Sequence, residues 1–206
     1  AKSSAHEFNA GPGNPGGPAV STTLFPSGVH ALSGWSGQAC NPYDTTREPR
    51  GSSSGVGVAV GANLAPIAVC EQTSASCQGP ASRNNIVNVL ATSGVLPDSG
   101  GIGNDFFVDK PGIFGKTVRD AVIALDALRD PESGSYYDTN TIYTAIPKSI
   151  VPEVPYASFL FEGDPDSKPL AGVRIALVRE WMVKHAPNDS EIVDLINEQA
   201  KTVLRD

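Results

Sequence analysis

The sequence predicts a domain of mixed helices and strands, α/β or α+β. Four stretches carry that prediction. Gly51 to Ser82 sets an apolar run, Val56 to Val69, between two knots of small hydroxyl residues. Lys116 to Arg129 repeats apolar side chains at helical spacing. Leu170 to Val178 reads as a strand, and Ser190 to Leu204 as an amphipathic helix after it. With 206 residues, 40% hydrophobic and 18% charged, the composition is that of one soluble globular unit, residues 1–206 as a single domain.

Taken in order, residues 1–8 read as a strand exit or a short helix ending at Phe8. Residues 9–50 are rich in Gly, Pro, Asn and Ser and read as irregular chain, with turn signals at Gly13-Asn14-Pro15 and Asn41-Pro42. Small residues and valines from Ser54 to Asn63 predict a tightly packed helix with Asn63 near its C-terminal end. Ile67-Ala68-Val69 predicts a short buried strand, and Asn85 to Leu90 another. In the Lys116 helix, Val118, Ala121, Val122, Leu125 and Leu128 form one face, and Pro131 follows its end. Residues 131–156 are polar and tyrosine-rich. Glu180 to His185 reads as a helical turn, and Asp189 as the N-cap of the last helix, with Ile192, Leu195, Ile196, Gln199 and Val203 near one face. There are 21 glycines and 17 prolines, concentrated before residue 115, so the first half is loop-rich and the second more regular.

Composition also excludes functions. A net charge of −7, with no basic run longer than two residues, argues against nucleic acid as a partner. No apolar stretch approaches the roughly 20 residues of a membrane span. AKSSAHEF is not a signal peptide. Cys40, Cys70 and Cys77 are an odd count without a C-x-x-C pair and read as buried free thiols in a reducing compartment, hence a cytoplasmic location. His6, His30 and His185 are scattered, with no metal-ligand spacing, so no metal is expected.

The hydroxyl knots suit chemistry on a carbonyl, which needs a nucleophilic oxygen and donors for the developing oxyanion. Gly51-Ser52-Ser53-Ser54-Gly55 satisfies G-x-S-x-G, the elbow of an α/β-hydrolase-type esterase with Ser53 as nucleophile and His185 as base. That elbow needs a buried strand before it, and Asp44 to Arg50 is a polar turn. Gly115-Lys116-Thr117 ends like a P-loop, but Lys110 stands where the first glycine belongs. Lys116 then reads as a solvated residue at the helix start. A glycine-rich binding or scaffold protein without chemistry is the other reading.

A series of motifs in fixed order says more. Lys2-Ser3-Ser4-Ala5-His6-Glu7-Phe8, Asn41-Pro42-Tyr43-Asp44, Arg47-Glu48-Pro49, the core 51–82 with Leu64-Ala65-Pro66 and Pro80-Ala81-Ser82, Gly94-Val95-Leu96-Pro97, Asp109-Lys110-Pro111-Gly112, Thr117-Val118-Arg119-Asp120-Ala121 and Gly172-Val173-Arg174-Ile175 follow one another. In this series the chain resembles the amidase signature family. The resemblance implies an α/β fold, a mixed β-sheet core covered by helices, of which only part is present here. It implies a Ser–cis-Ser–Lys amidohydrolase with an acyl-enzyme intermediate. Ser76 matches the nucleophile, Ser52 the serine after a cis peptide bond that relays the proton, and Ser53 a supporting serine. The backbone N–H groups of Thr73, Ser74, Ala75 and Ser76 match the oxyanion hole. No cofactor is implied. The expected partner is a small-molecule amide, carbamate or ester, and a homodimer is left open. Trp35, in the irregular segment, and Tyr137, in the tyrosine-rich loop, are the expected walls of the acyl pocket.

The sequence departs from the family pattern twice. The family's lysine base falls before residue 1, since Lys2 matches a different lysine, so the chain is expected to be the central portion of a longer enzyme. Around the nucleophile, where the family has Asp-x-Gly-Gly-Ser-x-Arg, the chain reads Gln72-Thr73-Ser74-Ala75-Ser76-Cys77-Gln78. Losing both glycines narrows the backbone angles of the loop. Gln72 and Gln78 then read as an amide–amide pair in place of a salt bridge.

Overall fold

The computed structural model describes residues 32–33, 37–97, 108–129, 151–178, 180 and 190–205. The chain divides into two compact units, Ala1–Leu160 and Phe161–Asp206. In the first, β1 (Leu32–Ser33) and β2 (Gly37–Gln38) form a two-stranded antiparallel ladder inside the segment expected to be irregular throughout. Then come α1 (Ser54–Gly61), β3 (Ile67–Gln72), α2 (Gln78–Arg83), β4 (Val87–Val89), β5 (Lys110–Gly115) and α3 (Val118–Leu128). A short 3-10 turn, Tyr156–Phe159, ends the described part.

The sheet has the order β3-β5-β4 and is antiparallel throughout, with Cys70 opposite Gly112 and Val89 opposite Ile113. Side chains alternate across a strand. Ile113 and Phe114 on the central strand are both buried and therefore root two different cores. Ile113 packs with Val95, Leu96, Ala121, Ala124 and Leu125 under α3. Phe114 packs with Val60, Cys70, Cys77 and Ala81 under α1 and α2. The segment Gly51 to Ser82 supplies most of this second core.

The small residues of α1 have a geometric use. A Cβ on Gly61 would lie 2.9 Å from the Asn84 carbonyl, and one on Gly57 would lie 3.1 Å from Pro80 Cβ. Glycine lets α1 approach α2 closely. The helix ends at Ala62, and Asn63 follows in the left-handed region at φ 60°. Lys116 is not solvated as expected: its ammonium donates to the Gly61 carbonyl at 2.9 Å, joining the last turn of α1 to the start of α3. At the other helix, Thr117 and Asp120 form a reciprocal capping box.

Several expectations are corrected. β3 is longer than Ile67-Ala68-Val69 and is not buried on both faces, since Ile67 and Val69 are 42% and 48% exposed. Val69 is in register with Ile113 and so shares its face, but α3 lies chiefly over β5 and β4. On α3, Val118 and Leu128 are exposed and Ala124 takes the inner position, because the sheet reaches only the middle turns. Cys70 and Cys77 are not free thiols but a disulfide; Cys40 is free and exposed. Cys70 and Cys77 therefore give no sign of a reducing compartment. Among the described residues no helix is long and apolar enough to cross a membrane.

In the second unit, Leu170–Val178 is not a strand. A turn occupies 169–172, and 173–178 find no ladder partner among the described residues. A 3-10 turn at Pro165–Ser167 precedes it. The helix α4 (Ser190–Arg205) forms where the periodicity predicted it, with Ile192, Leu195 and Ile196 exposed. The expectations for residues 1–8, for Trp35 and Tyr137, for most of Glu180–His185 and for Asp189 fall outside the described residues.

Candidate active site

The three serines that open α1 have three different environments. The Gly51–Ser52 peptide bond is cis, and Arg50 before it sits at φ 64°. Ser52 is half-buried. Ser53 is fully buried: its hydroxyl donates to the Glu71 carbonyl at 3.2 Å and accepts the Glu71 N–H at 3.3 Å. A hydroxyl locked between the two backbone groups of one β3 residue is glue, not an exposed nucleophile, which removes the esterase-elbow reading of Ser53. Ser54 is also fully buried, and its Oγ has no partner.

The second knot is the turn between β3 and α2. One backbone hydrogen bond, Ser53 N–H to the Ser76 carbonyl at 3.2 Å, sets it against the first. Ser76 is half-buried, and Thr73, Ser74 and Ala75 ahead of it are exposed. The turn is held at its ends. Thr73 donates its hydroxyl to the buried carboxylate of Asp109, which precedes β5. Gln72 is buried, and its Oε1 accepts the N–H groups of both Cys77 and Gln78 at 3.0 Å each. The amide–amide pairing expected of Gln72 and Gln78 is thus replaced by a side chain that grips backbone. The reason is the first turn of α2, whose N–H groups have no intrahelical acceptor. The Cys70–Cys77 disulfide spans the same turn.

Two further residues support this arrangement. Asn84, fully buried, donates from Nδ2 to the carbonyls of Pro49 at 3.0 Å and Pro80 at 2.7 Å, joining the approach to the cis bond to α2. Asn41 donates to the Arg83 carbonyl at 2.6 Å. Cysteine spacing pointed away from the disulfide. For Asn84 no sequence signal existed, because its partners are backbone atoms, and one of them, the Pro49 carbonyl, is far away in sequence. Asp109 stood in a quoted motif but without a role. Away from the serines, a cavity of about 340 Å³ is lined by Asn41, Thr46, Arg47, Glu48 and Arg83. Among the described residues no group of three or more His, Cys, Asp or Glu is placed to hold a metal.

The arrangement juxtaposes two hydroxyl-bearing turns, the second of which leads into α2. Attack on an acyl carbon requires an oxygen nucleophile and preorganised donors for the oxygen that becomes negative. Comparison with known proteins agrees with the geometry. A family model described as Amidase matches residues 20–199. The A subunit of a glutamyl-tRNA(Gln) amidotransferase from Azoarcus sp. (strain BH72) is 34% identical over 155 residues, which is 74% of this chain and 29% of that protein. A probable amidase of Arabidopsis thaliana is 31% identical over 176 residues, 84% of this chain and 30% of that protein. Among solved structures, the native peptide amidase of Stenotrophomonas maltophilia superposes with a TM-score of 0.50 at 31% identity, covering 62% of this chain and 26% of that one. An amidase family protein of Bacillus anthracis str. Ames gives 0.52 at 29% identity, over 59% and 23%. The chain therefore spans about three-tenths of the length of the curated relatives it matches.

Proposed function

The chain belongs to the amidase family, and on that premise we propose that it hydrolyses a carboxamide, or a related acyl bond such as an aryl amide, urethane or ester, by serine acyl transfer. Among C–N bonds the proposed class is those other than peptide bonds, and the substrate is a small molecule. Ser76 Oγ attacks the carbonyl carbon as its proton passes to Ser52 Oγ, whose own proton goes to the lysine base of this mechanism. The oxyanion is held by N–H groups of the turn Thr73 to Ser76. The C–N bond breaks as the amine takes a proton back through Ser52, leaving an acyl-serine that water hydrolyses by the same route. Lysine acts as base only when neutral, a state that burial favours. The observation that carries this reading is the Ser53–Ser76 backbone bond, which seats the two serine-bearing turns side by side.

The test uses the full-length protein and a panel of anilides, primary amides, carbamates and p-nitrophenyl esters. Ser76→Ala is expected to abolish turnover, and Ser52→Ala to lower it by about 10²–10⁴-fold, the range of general acid–base transfer. Turnover retained in Ser76→Ala overturns the assignment. A fluorophosphonate probe separates the enzyme from a non-catalytic scaffold. Covalent labelling at Ser76 marks the enzyme; a folded full-length protein that stays unlabelled is the scaffold. In the same panel, alanine at Trp35 or Tyr137 is expected to shift the ratio of bulky aryl to small aliphatic activity. Equal losses on every substrate remove either residue from the acyl pocket.

A further inference from the structure

We propose that the Cys70–Cys77 disulfide is a positioning device for the acyl-transfer turn, with Cys70 and Cys77 as positioning residues; this rests on the reading of Ser76 as nucleophile. The turn 73–75 has no glycine and is exposed, so burial does little to fix it. Its conformation is imposed from the ends. Cys77 is the residue next to Ser76, and its partner Cys70 lies in β3 opposite Gly112 of the central strand, so the bond ties the nucleophile's neighbour to the strand that pairs with β5. Gln72 adds two hydrogen bonds at the same end, to Cys77 and Gln78. The fold makes room for the sulfurs. A Cβ on Gly112 would lie 2.9 Å from Cys70 Sγ, 3.2 Å from Cys77 Sγ and 2.7 Å from Leu90 Cδ2, so glycine there leaves the disulfide its seat.

Two alanines would sit in the same apolar surroundings of Val60, Ala81 and Phe114. What they lack is the covalent tether across the turn. Acyl transfer is sensitive to small misplacement of the attacking atom, on the order of a hundredfold for 1 Å. The tether therefore acts on the chemical step more than on substrate capture. Both cysteines are buried, at 2% and 0% exposure, so the bond is a standing part of the site rather than an exposed contact.

The experiment compares Cys70→Ala, Cys77→Ala, the double variant and Cys40→Ala in the full-length protein. It reads fluorophosphonate labelling of Ser76 and steady-state kinetics on a p-nitrophenyl ester. The two single variants and the double variant are expected to lose kcat equally, by roughly ten- to a hundredfold, with KM little changed. Cys40→Ala is expected to match wild type. Dithiothreitol, applied until the mass of the still-folded wild type shows the buried bond reduced, should bring wild type to the level of the double variant and leave the double variant unaffected. In that step the S–S bond breaks, the dithiol is oxidised to its cyclic disulfide, and two electrons and two protons yield two thiols. Losses that add between the single variants, a change in KM alone, or wild-type labelling in the double variant overturn the proposal. So does an intact mass that gains no hydrogens on denaturing reduction. If the variants fail to fold by circular dichroism, the dithiothreitol arm on folded wild type decides. If Ser76→Ala keeps full turnover, the nucleophile reading has failed, and amide exchange then judges the tether alone. Faster exchange confined to 73–78 in the double variant supports it; unchanged exchange ends it.

Discussion

The segment from Pro49 to Asn84, rich in Gly, Ala and Ser and nearly free of charge, and the unit Phe161–Asp206, rich in charged residues, are held in opposite ways. In the first, hydrogen bonds cross long stretches of sequence: Ser53 to Ser76, Ser53 to Glu71, Asn84 to Pro49, Thr73 to Asp109. In the second, the bonds of Asp164 with Ser167, Asn197 with Val193 and Thr202 with Glu198 span four positions or fewer. Its large apolar residues Leu170, Val173, Ile175 and Val178 are each more than two-fifths exposed. A helix closes its own backbone bonds, so α4 forms from local pattern alone. A strand needs a neighbour, and 170–178 has the composition of one without a ladder.

The contrast predicts a gradient of mutational cost. Phe114→Ala removes the largest fully buried side chain among the described residues and leaves a cavity between α1, α2 and the sheet. The expected loss is about 3–5 kcal/mol in denaturant unfolding. A loss below about 1 kcal/mol would erase the distinction between the regions. Asn84→Ala strips the Pro49 carbonyl of its amide donor in a buried site, with an expected loss of about 1–3 kcal/mol by the same measurement. Leu195→Ala, on the exposed face of α4, is expected to change stability by less than about 0.5 kcal/mol. A large loss there in the full-length protein would mean that this face is covered by residues outside those described.

The smallest effect concerns pH. The Thr46 hydroxyl, then the Thr46 N–H, bond the Asp44 carboxylate and hold its pKa below the ordinary value, with Arg47 adding to the same sign. A depressed folded pKa contributes stability above the unfolded value and loses it as pH falls through the folded one. Asp44→Asn should therefore differ from wild type slightly at neutral pH and not at all in strong acid. A difference that grows on acidification would reverse the sign.

Periodicity located α3 and α4, and a run of small residues and valines located α1, because helices announce themselves within a few residues. The capping box of Thr117 and Asp120, which the structure adds at the start of α3, is equally local. The serines became legible through motif order, which fixes neighbours that no single motif fixes. What stayed hidden depends on partners far along the chain. Lys116 has nothing in its own surroundings to say that its ammonium reaches Gly61. Cys70 and Cys77 lack the spacing of a familiar pair; they meet because a strand exit and a helix entry fold back on each other. Gln72 was placed beside the right residue, Gln78, but the bond goes to the backbone, which sequence pattern does not display.

The strand order β3-β5-β4 also has a temporal meaning. The middle strand is the last of the three to leave the ribosome. Until Gly115 has emerged, β3 and β4 have no strand between them to pair with, and neither core has its root in Ile113 or Phe114. Contacts of high sequence separation form late because the loop between them must first be closed. During synthesis the serine turns are thus made early but set late, and the nascent segment 51–97 must travel with its strand edges unsatisfied, which is the interval in which a chaperone would find it.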